Sequence, residues 1–377
     1  MAGVYIHIPF CKKACHYCNF HFSTSASYKN DMVQAIIKEI ELTSFINDTN
    51  SGQVIETIYF GGGTPSILSP MQLQQLLAAV RQKFTVQPQA EITLEANPDD
   101  INEKSLQQWQ MLGINRLSVG IQSFNDAELL WMNRAHNANE SVHCIDMITS
   151  AGFTNFSIDL IYGSPLLSNY DWQQHVELVI DKKAPHVSCY ALTVEPKTAL
   201  NKMIALKKTA PVDAEKQAAQ FLLLMQWMQQ AGYQHYEISN YALPGMRSRH
   251  NSSYWSGSLY YGFGPSAHAY NGHSRSWNVA HNMQYMQAIQ NNTIPKETEL
   301  LTTTQQLNEY IMTALRTMEG ISIHTVTTLF GEQQANRLIQ QSSKYQHRQQ
   351  VLIRQQHIIL TNDGKLFADG IAADLFA

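Results

Sequence analysis

Charge is scarce in this sequence. Asp, Glu, Lys and Arg make up 15% of its 377 residues, against about a quarter in an ordinary globular chain. The formal net charge is −4, with no long basic run or basic helix, which excludes nucleic acid as a main partner. No apolar stretch reaches the roughly 20 residues that span a bilayer, so only peripheral membrane association stays open. The sequence opens on a strand pattern, Gly3-Val-Tyr-Ile-His-Ile8, so no secretory or transit signal is expected. Five cysteines cannot all pair. Three cluster and two stand alone, which argues against a disulfide framework and predicts a reducing, cytoplasmic setting with metal use. Cys144 and Cys189 lie in apolar contexts and read as buried small hydrophobes.

One further absence is the most informative. Cys11-Lys-Lys-Ala-Cys15-His-Tyr-Cys18 has no fourth cysteine nearby. A structural zinc site normally closes four ligands. A cubane iron–sulfur cluster held by three thiolates leaves one iron free for a small molecule, and this spacing points to chemistry at such an open iron.

Strands and helices alternate through the first two thirds. The pattern predicts strands at Val4–Ile8, Glu56–Phe60, Glu91–Ala96, Arg116–Val119, Phe156–Ile161 and His186–Leu192. Helical spacing occupies Lys29–Phe45, Pro70–Phe84, Asn102–Leu112, Asp126–Trp131, Asn139–Ala151 and Trp172–Lys182. Six such repeats predict an α/β fold, a partial (β/α)6 TIM-like barrel with a parallel sheet. Beyond Asp213 the pattern loosens into a helix at Ala214–Ala231 and a Gly-, Tyr- and Trp-rich segment from Tyr241 to Trp277. The division expected is a barrel with its extension at 1–285 and a small, mainly α-helical (α+β) domain at 286–377. The small domain would hold helices at Thr303–Met318, Gln334–Gln341 and Gly370–Phe376, and a strand or hairpin at Val351–Thr361.

Polar residues fall together at the C-terminal ends of these strands, the face that carries the active site in a (β/α) barrel. The cysteine loop follows the first strand. Gly61-Gly-Gly63-Thr64-Pro65 follows the second and admits a ligand close to bare backbone. Glu95 lies near the end of the third, Gln122 just past the fourth and Asp159 within the fifth, while the sixth ends in Tyr190-Ala191-Leu192. Each has a plainer reading. The glycines fit a tight turn, the carboxylates fit structural salt bridges, and Arg134 fits a solvated helix end.

Taken together, the motifs resemble the radical S-adenosylmethionine superfamily. Tyr5-Ile-His-Ile-Pro-Phe-Cys11, Tyr59-Phe-Gly-Gly-Gly-Thr-Pro65, Glu95-Ala-Asn-Pro98, Ser118-Val-Gly-Ile-Gln-Ser-Phe124 and Asp159-Leu-Ile-Tyr-Gly163 are similar to the oxygen-independent coproporphyrinogen III oxidase group. That resemblance implies a [4Fe–4S] cluster on Cys11, Cys15 and Cys18, with S-adenosylmethionine chelated at the open iron and cleaved reductively to a 5′-deoxyadenosyl radical. It implies that Gly62, Gly63 and Thr64 contact the methionine part, with Tyr5 beside it. Glu95 and Gln122 would surround the cofactor, Arg134 would grip its carboxylate, and Asp159 would accept from the ribose hydroxyls. Tyr17 and Ala191 would supply backbone contacts near the adenine, and His268 is a further candidate contact.

Within that group the oxidases carry another cysteine two residues after the third cluster ligand, and an N-terminal extension. Here Phe20 occupies the cysteine position and four residues precede Tyr5, as in the haem chaperone branch. Arg249-His-Asn-Ser-Ser-Tyr-Trp255 matches that branch's His-Asn-x-x-Tyr-Trp motif, which implies haem binding with His250 as a candidate ligand. Taken alone, His250 fits a hydrogen-bonded structural histidine. The leading expectation is a haem chaperone that passes haem to an acceptor protein and draws electrons from a flavodoxin or ferredoxin. The alternative is the oxidase itself, converting coproporphyrinogen III to protoporphyrinogen IX. A plain electron-transfer module would leave the barrel-mouth residues without a task.

Overall fold

The computed structural model describes residues 2–45 and 54–377. Six strands, β1 (Ala2–Ile8), β2 (Val54–Gly62), β3 (Thr85–Ala96), β4 (Arg116–Gln122), β5 (Phe156–Tyr162) and β6 (His186–Ala191), pair in sequence order, each parallel to the next. The crossovers hold α1 (Lys29–Leu42), α2 (Pro70–Lys83), α3 (Glu103–Met111), α4 (Asp126–Trp131), α5 (Ala138–Ser150) and α6 (Asn169–Asp181). Local chemistry sets their starts. Ser69 and Gln72 form a reciprocal capping box with Pro70 at the first helical position of α2, and Asn102 and Asn137 start α3 and α5 in the same way.

The strands explain the two faces of the sheet. Ile58, Phe60, Ile92, Leu94, Leu117, Val119, Ile158 and Leu160 join the helices in one apolar core. Alternate positions on the same strands are polar: Thr57 and Tyr59, Glu91, Thr93 and Glu95, Arg116 and Ser118, Ser157 and Asp159, His186 and Ser188. A period of two places these on the opposite, inner face of the partial barrel.

The loosened region carries more order than its sequence pattern indicates. After α7 (Ala199–Ala205), it contains α8 (Ala214–Gln230), β7 (Gln234–Glu237), β8 (Asn240–Ala242), α9 (Arg249–Trp255), β9 (Leu259–Phe263), β10 (His268–Tyr270), β11 (Ser274–Asn278), α10 (Asn282–Gln290) and β12 (Lys296–Leu300). β9 runs parallel to β1, so the parallel run has a seventh strand on the side opposite β6. The twelve strands are ordered β12-β11-β10-β9-β1-β2-β3-β4-β5-β6-β8-β7, an open sheet and not a closed barrel.

A second apolar cluster begins at Leu307. It joins α11 (Thr303–Leu315), β13 (Ile321–Ser322), α12 (Ile323–Phe330), α13 (Glu332–His347), β14 (Val351–Arg354), β15 (His357–Leu360) and α15 (Ala368–Asp374), with the short α14 (Asn362–Lys365) linking the last two. A boundary at 285/286 falls inside α10, whose Tyr285, Met286 and Ile289 are buried in the first core, and β12 pairs with β11 in the large sheet. We therefore propose the seam between β12 and α11.

Glu39 fastens the extension to the barrel. The Gly264 N–H (2.7 Å), Asn278 Nδ2 (2.6 Å) and Tyr285 Oη (2.6 Å) all donate to its buried carboxylate. Burial raises its pKa to about 7 against the pull of these donors. Glu39→Ala would take the acceptor from the Gly264 N–H and the Tyr285 hydroxyl and leave Asn278 Nδ2 with only Gly264 O (2.9 Å), each unsatisfied donor costing about 1–3 kcal/mol. The expected loss of unfolding free energy is about 3–5 kcal/mol, measured by denaturant titration; a change below about 1 kcal/mol would contradict this role.

Candidate functional site

The cysteine loop leaves β1 at the C-terminal end of the sheet and is pinned by its backbone. The Cys11 N–H donates to Ser23 O (3.0 Å) and the His16 N–H to Met132 O (3.1 Å). Asn133 Nδ2 donates to Ala14 O (2.8 Å), and the Leu200 N–H donates to His16 O (2.7 Å). α4 and the start of α7 thus hold the loop from behind. Lys12 pairs with Asp99 (2.6 Å) and Asp100 at the end of β3.

All three loop thiols are half-buried. Burial pushes the Cys11 thiol up to about 11 and raises that of Cys18, although the Thr64 side chain bonded to Cys11 pulls the other way. Burial thus disfavours the thiolate form at Cys11 and Cys18, and a metal that binds here displaces the thiol protons. Among the described residues no set of His, Cys, Asp or Glu closes around a single metal ion. The donor set, three thiols on one loop with no fourth ligand beside them, fits a multi-iron cluster better than mononuclear zinc.

The glycine turn after β2 lies against this loop. The Gly63 N–H donates to Ile8 O (2.9 Å) and the Thr64 N–H to Phe10 O (2.7 Å). Gly62 has φ +106°, open to glycine at little cost, and a Cβ there would sit 2.6 Å from the His7 ring. Its N–H donates to Glu95 Oε2 (3.2 Å), while the Tyr59 hydroxyl donates to Glu95 Oε1 (2.8 Å). Burial raises Glu95 to about 7, with Asp159 adding to the rise and its two donors opposing it.

Arg134 is the cation of the mouth. Its Nη1 reaches Cys15 Sγ (3.4 Å), and its Nη2 donates to Asn97 Oδ1 (2.7 Å) and Gly120 O (2.6 Å). Its buried Nε has no hydrogen-bond partner. Among the described residues it pairs with no carboxylate, so it is a buried cation with a donor to spare and fits an anionic ligand group. Gln122 holds a positive φ of 68°, and its amide lies beside Gly120, within the reach of Arg134 and Asn97. Asp159 accepts from the Ser118 hydroxyl (3.2 Å) and from Ser188. Burial lifts its pKa to about 6 while both serines lower it.

Tyr5, Cys11, Cys15, Tyr17, Cys18, Gly62, Gly63, Thr64, Glu95, Gln122, Arg134 and Asp159 therefore gather at one mouth. Tyr5 stacks on Tyr59 with ring centroids 6.1 Å apart, and burial raises the Tyr17 phenol beside Cys15 and Arg134. Ala191 ends β6 in an exposed position. His268 opens β10, exposed, with its ring 6.0 Å from Trp277 and on the His7 side of the mouth.

His250 stands apart from this group. It is 1% exposed, its Nδ1 is 2.8 Å from Thr57 Oγ1, and its Nε2 is 2.9 Å from the Tyr254 hydroxyl. Both ring nitrogens are engaged, so in this arrangement neither is free to ligate a haem iron; burial also depresses its pKa to about 3. The quoted motifs contain Tyr59, Asn97 and Ser118 without giving them a role, and Ser188 lies outside them. The alternation of polar residues along β2 to β6 was the signal that could have found them.

A partial (β/α) barrel with three thiols, a glycine turn and paired carboxylates at its C-terminal mouth defines a radical S-adenosylmethionine protein. The Radical SAM superfamily matches residues 5–179. "Heme chaperone HemW" of Bacillus subtilis (strain 168) is 35% identical over 330 residues, covering 85% of each chain. Its namesake in Lactococcus lactis subsp. lactis (strain IL1403) is 32% identical over 359 residues, covering 93% of this chain and 92% of that protein. The structure of Escherichia coli coproporphyrinogen III oxidase (HemN), described as a radical SAM enzyme, covers 100% of this chain and 90% of its own, with a TM-score of 0.85 at 22% identity. That likeness is one of fold. The chain belongs to the HemW family of radical SAM proteins.

Proposed function

We propose that this chain is a haem chaperone: it binds a [4Fe–4S] cluster, S-adenosylmethionine and haem, and hands haem to an acceptor protein. The observation that carries this reading is Phe20. It stands two residues after Cys18 and is 68% exposed, where the oxidase pattern has a further cysteine. Relatives named haem chaperones that match nearly the whole chain support the same reading.

Cys11, Cys15 and Cys18 would hold the cluster, which when bound supplies an electron to the sulfonium of S-adenosylmethionine. The chain's own residues do the rest. Gly62, Gly63 and Thr64 bring backbone against the methionine part, and Arg134 offers its free Nε to the carboxylate. Asp159, steadied by Ser118 and Ser188, accepts from the ribose hydroxyls. Glu95 and Gln122 line the wall, with Tyr5, Tyr17, Ala191 and His268 at the rim. A haem bound through His250 requires that Thr57 and Tyr254 first release the ring. Five free cysteines suit a reducing cytoplasm, where a flavodoxin or ferredoxin supplies electrons. No helix among the described residues is long and apolar enough to cross a membrane.

One anaerobically reconstituted sample tests the proposal. It is incubated with coproporphyrinogen III, S-adenosylmethionine and a reductant, and titrated separately with haem. Stable haem uptake without porphyrinogen decarboxylation is expected. Formation of protoporphyrinogen IX would overturn the chaperone reading.

A further inference from the structure

Beneath the cofactor mouth, α9 is held against the N-terminal ends of the strands. The N–H groups of Arg249 and His250 both donate to the Glu91 carboxylate, at 3.1 and 3.0 Å. The imidazole of His250 packs over the start of β1, where a Cβ at Gly3 would lie 2.9 Å from Thr57 Oγ1 and 3.3 Å from His250 Cε1. Above it the ring stacks on Tyr59, with centroids 4.9 Å apart and planes inclined by 23°. Tyr5, the register partner of Tyr59 on β1, lies beside it with ring centroids 6.1 Å apart, again at 23°. Tyr59 therefore packs against both rings, and its hydroxyl donates to Glu95 Oε1, whose partner oxygen takes the Gly62 N–H.

We propose that His250 and Tyr59 are positioning residues for Glu95: a stacked relay from the barrel floor that fixes this carboxylate and, through it, the Gly62 amide at the mouth. The inference rests on the reading above that Glu95 contacts S-adenosylmethionine, but it does not depend on haem. It gives the histidine of the His-Asn-x-x-Tyr-Trp motif a task that is visible in the structure, since both its nitrogens and its ring face are committed inside the barrel. One consequence follows for haem binding. A variant of His250 perturbs the cofactor mouth as well, so haem loss on its substitution is not by itself proof of iron ligation.

The electrostatics give the relay a distinctive readout. Glu95 is faced by Tyr5 from β1, Tyr59 from β2, Asp159 from β5, Tyr190 from β6, Tyr254 from α9 and Cys18 from the cysteine loop. Burial and Asp159 push its pKa up, while only the Tyr59 hydroxyl and the Gly62 amide pull it down. The ionised carboxylate is the form that accepts from a ligand, so cofactor affinity should rise with pH through this titration. Loosening Tyr59 moves that rise to higher pH.

The test uses full-length, cluster-reconstituted protein in four forms: wild type, Tyr59→Phe, His250→Ala and the double variant. S-adenosylmethionine affinity is measured by calorimetry from about pH 5.5 to 8.5, bracketing the Glu95 titration. Amide hydrogen exchange of the peptide containing Gly62 is followed in parallel. Tyr59→Phe should shift the midpoint upward by about one unit, a roughly tenfold weakening below it. His250→Ala should shift it in the same direction, and the double variant should lose no more than the worse single one, because both act through one bond. Gly62 should exchange faster in each. Additive losses, an unmoved midpoint or unchanged Gly62 exchange would overturn the relay. If His250→Ala does not fold, His250→Gln takes its place. A Glu95→Gln variant that binds cofactor as tightly as wild type would sink the cofactor role of Glu95, and Gly62 exchange alone would then decide the relay.

Discussion

Cys15→Ala should fold normally and fail to hold a cluster. Loop and ligand separate cleanly at this position, because backbone atoms hold the loop in place. His16 is tied to Met132 and Leu200, its Nδ1 lies 2.7 Å from Trp131 O, and Ala14 O accepts from Asn133. The Cys15 thiol contributes a 3.4 Å contact with Arg134 Nη1 and a hydrogen bond with the Tyr17 side chain. Its loss should therefore change unfolding free energy by less than about 1 kcal/mol. The effect on the metal is of another order. Outer-shell changes alone typically cost 10–100-fold in metal affinity, and here one of three ligands disappears with no fourth side chain to replace it. We expect iron and sulfide content to fall to background and 5′-deoxyadenosine formation to drop by more than about 100-fold. Normal iron content and cofactor cleavage at the wild-type rate would show that the thiols of this loop are not the ligands.

The cluster loop was legible in the sequence because its information is local. Three cysteines within eight residues need no knowledge of the fold to be noticed. The six βα repeats were legible for a related reason, since each strand and helix carries its own period and its own caps. Arg134 was harder. In the sequence it is a charge after an amphipathic stretch, and only the return of α4 beneath the cysteine loop brings it to Cys15, Asn97 and Gly120. The seventh parallel strand was not legible at all. β9 is a five-residue run, Leu-Tyr-Tyr-Gly-Phe, whose partner β1 lies at the other end of the barrel sequence, and pairing over that separation leaves no local trace. His250 was read two ways from its sequence context. Its position between Thr57 and Tyr254 depends on α9 folding back under β2, which is a tertiary fact.

Gly63→Ala should be the most damaging single-methyl change in the mouth. The reason is space. A Cβ at this position would lie 2.5 Å from Phe10 O, and 2.8 Å from both Ile8 O and Phe10 N. All three neighbours are backbone atoms, so no side chain can swing aside to relieve the contact. The added methyl must push the glycine turn and the start of the cysteine loop apart, and the two hydrogen bonds that join them, Gly63 to Ile8 and Thr64 to Phe10, lengthen together. Overpacking of this kind costs about 1–3 kcal/mol, and weakening two internal hydrogen bonds adds about 1 kcal/mol each. The expected loss is about 3–5 kcal/mol by denaturant titration, with poor cluster incorporation because Cys11 follows Phe10 directly. Gly370→Ala is the matched control. Nothing lies within 4 Å of the Cβ it would add, and it falls inside α15, where alanine is favoured over glycine by about 0.5–1 kcal/mol. That variant should be unchanged or slightly more stable. Equal behaviour of the two would mean that the glycine turn and the cysteine loop do not meet as closely as the backbone distances require.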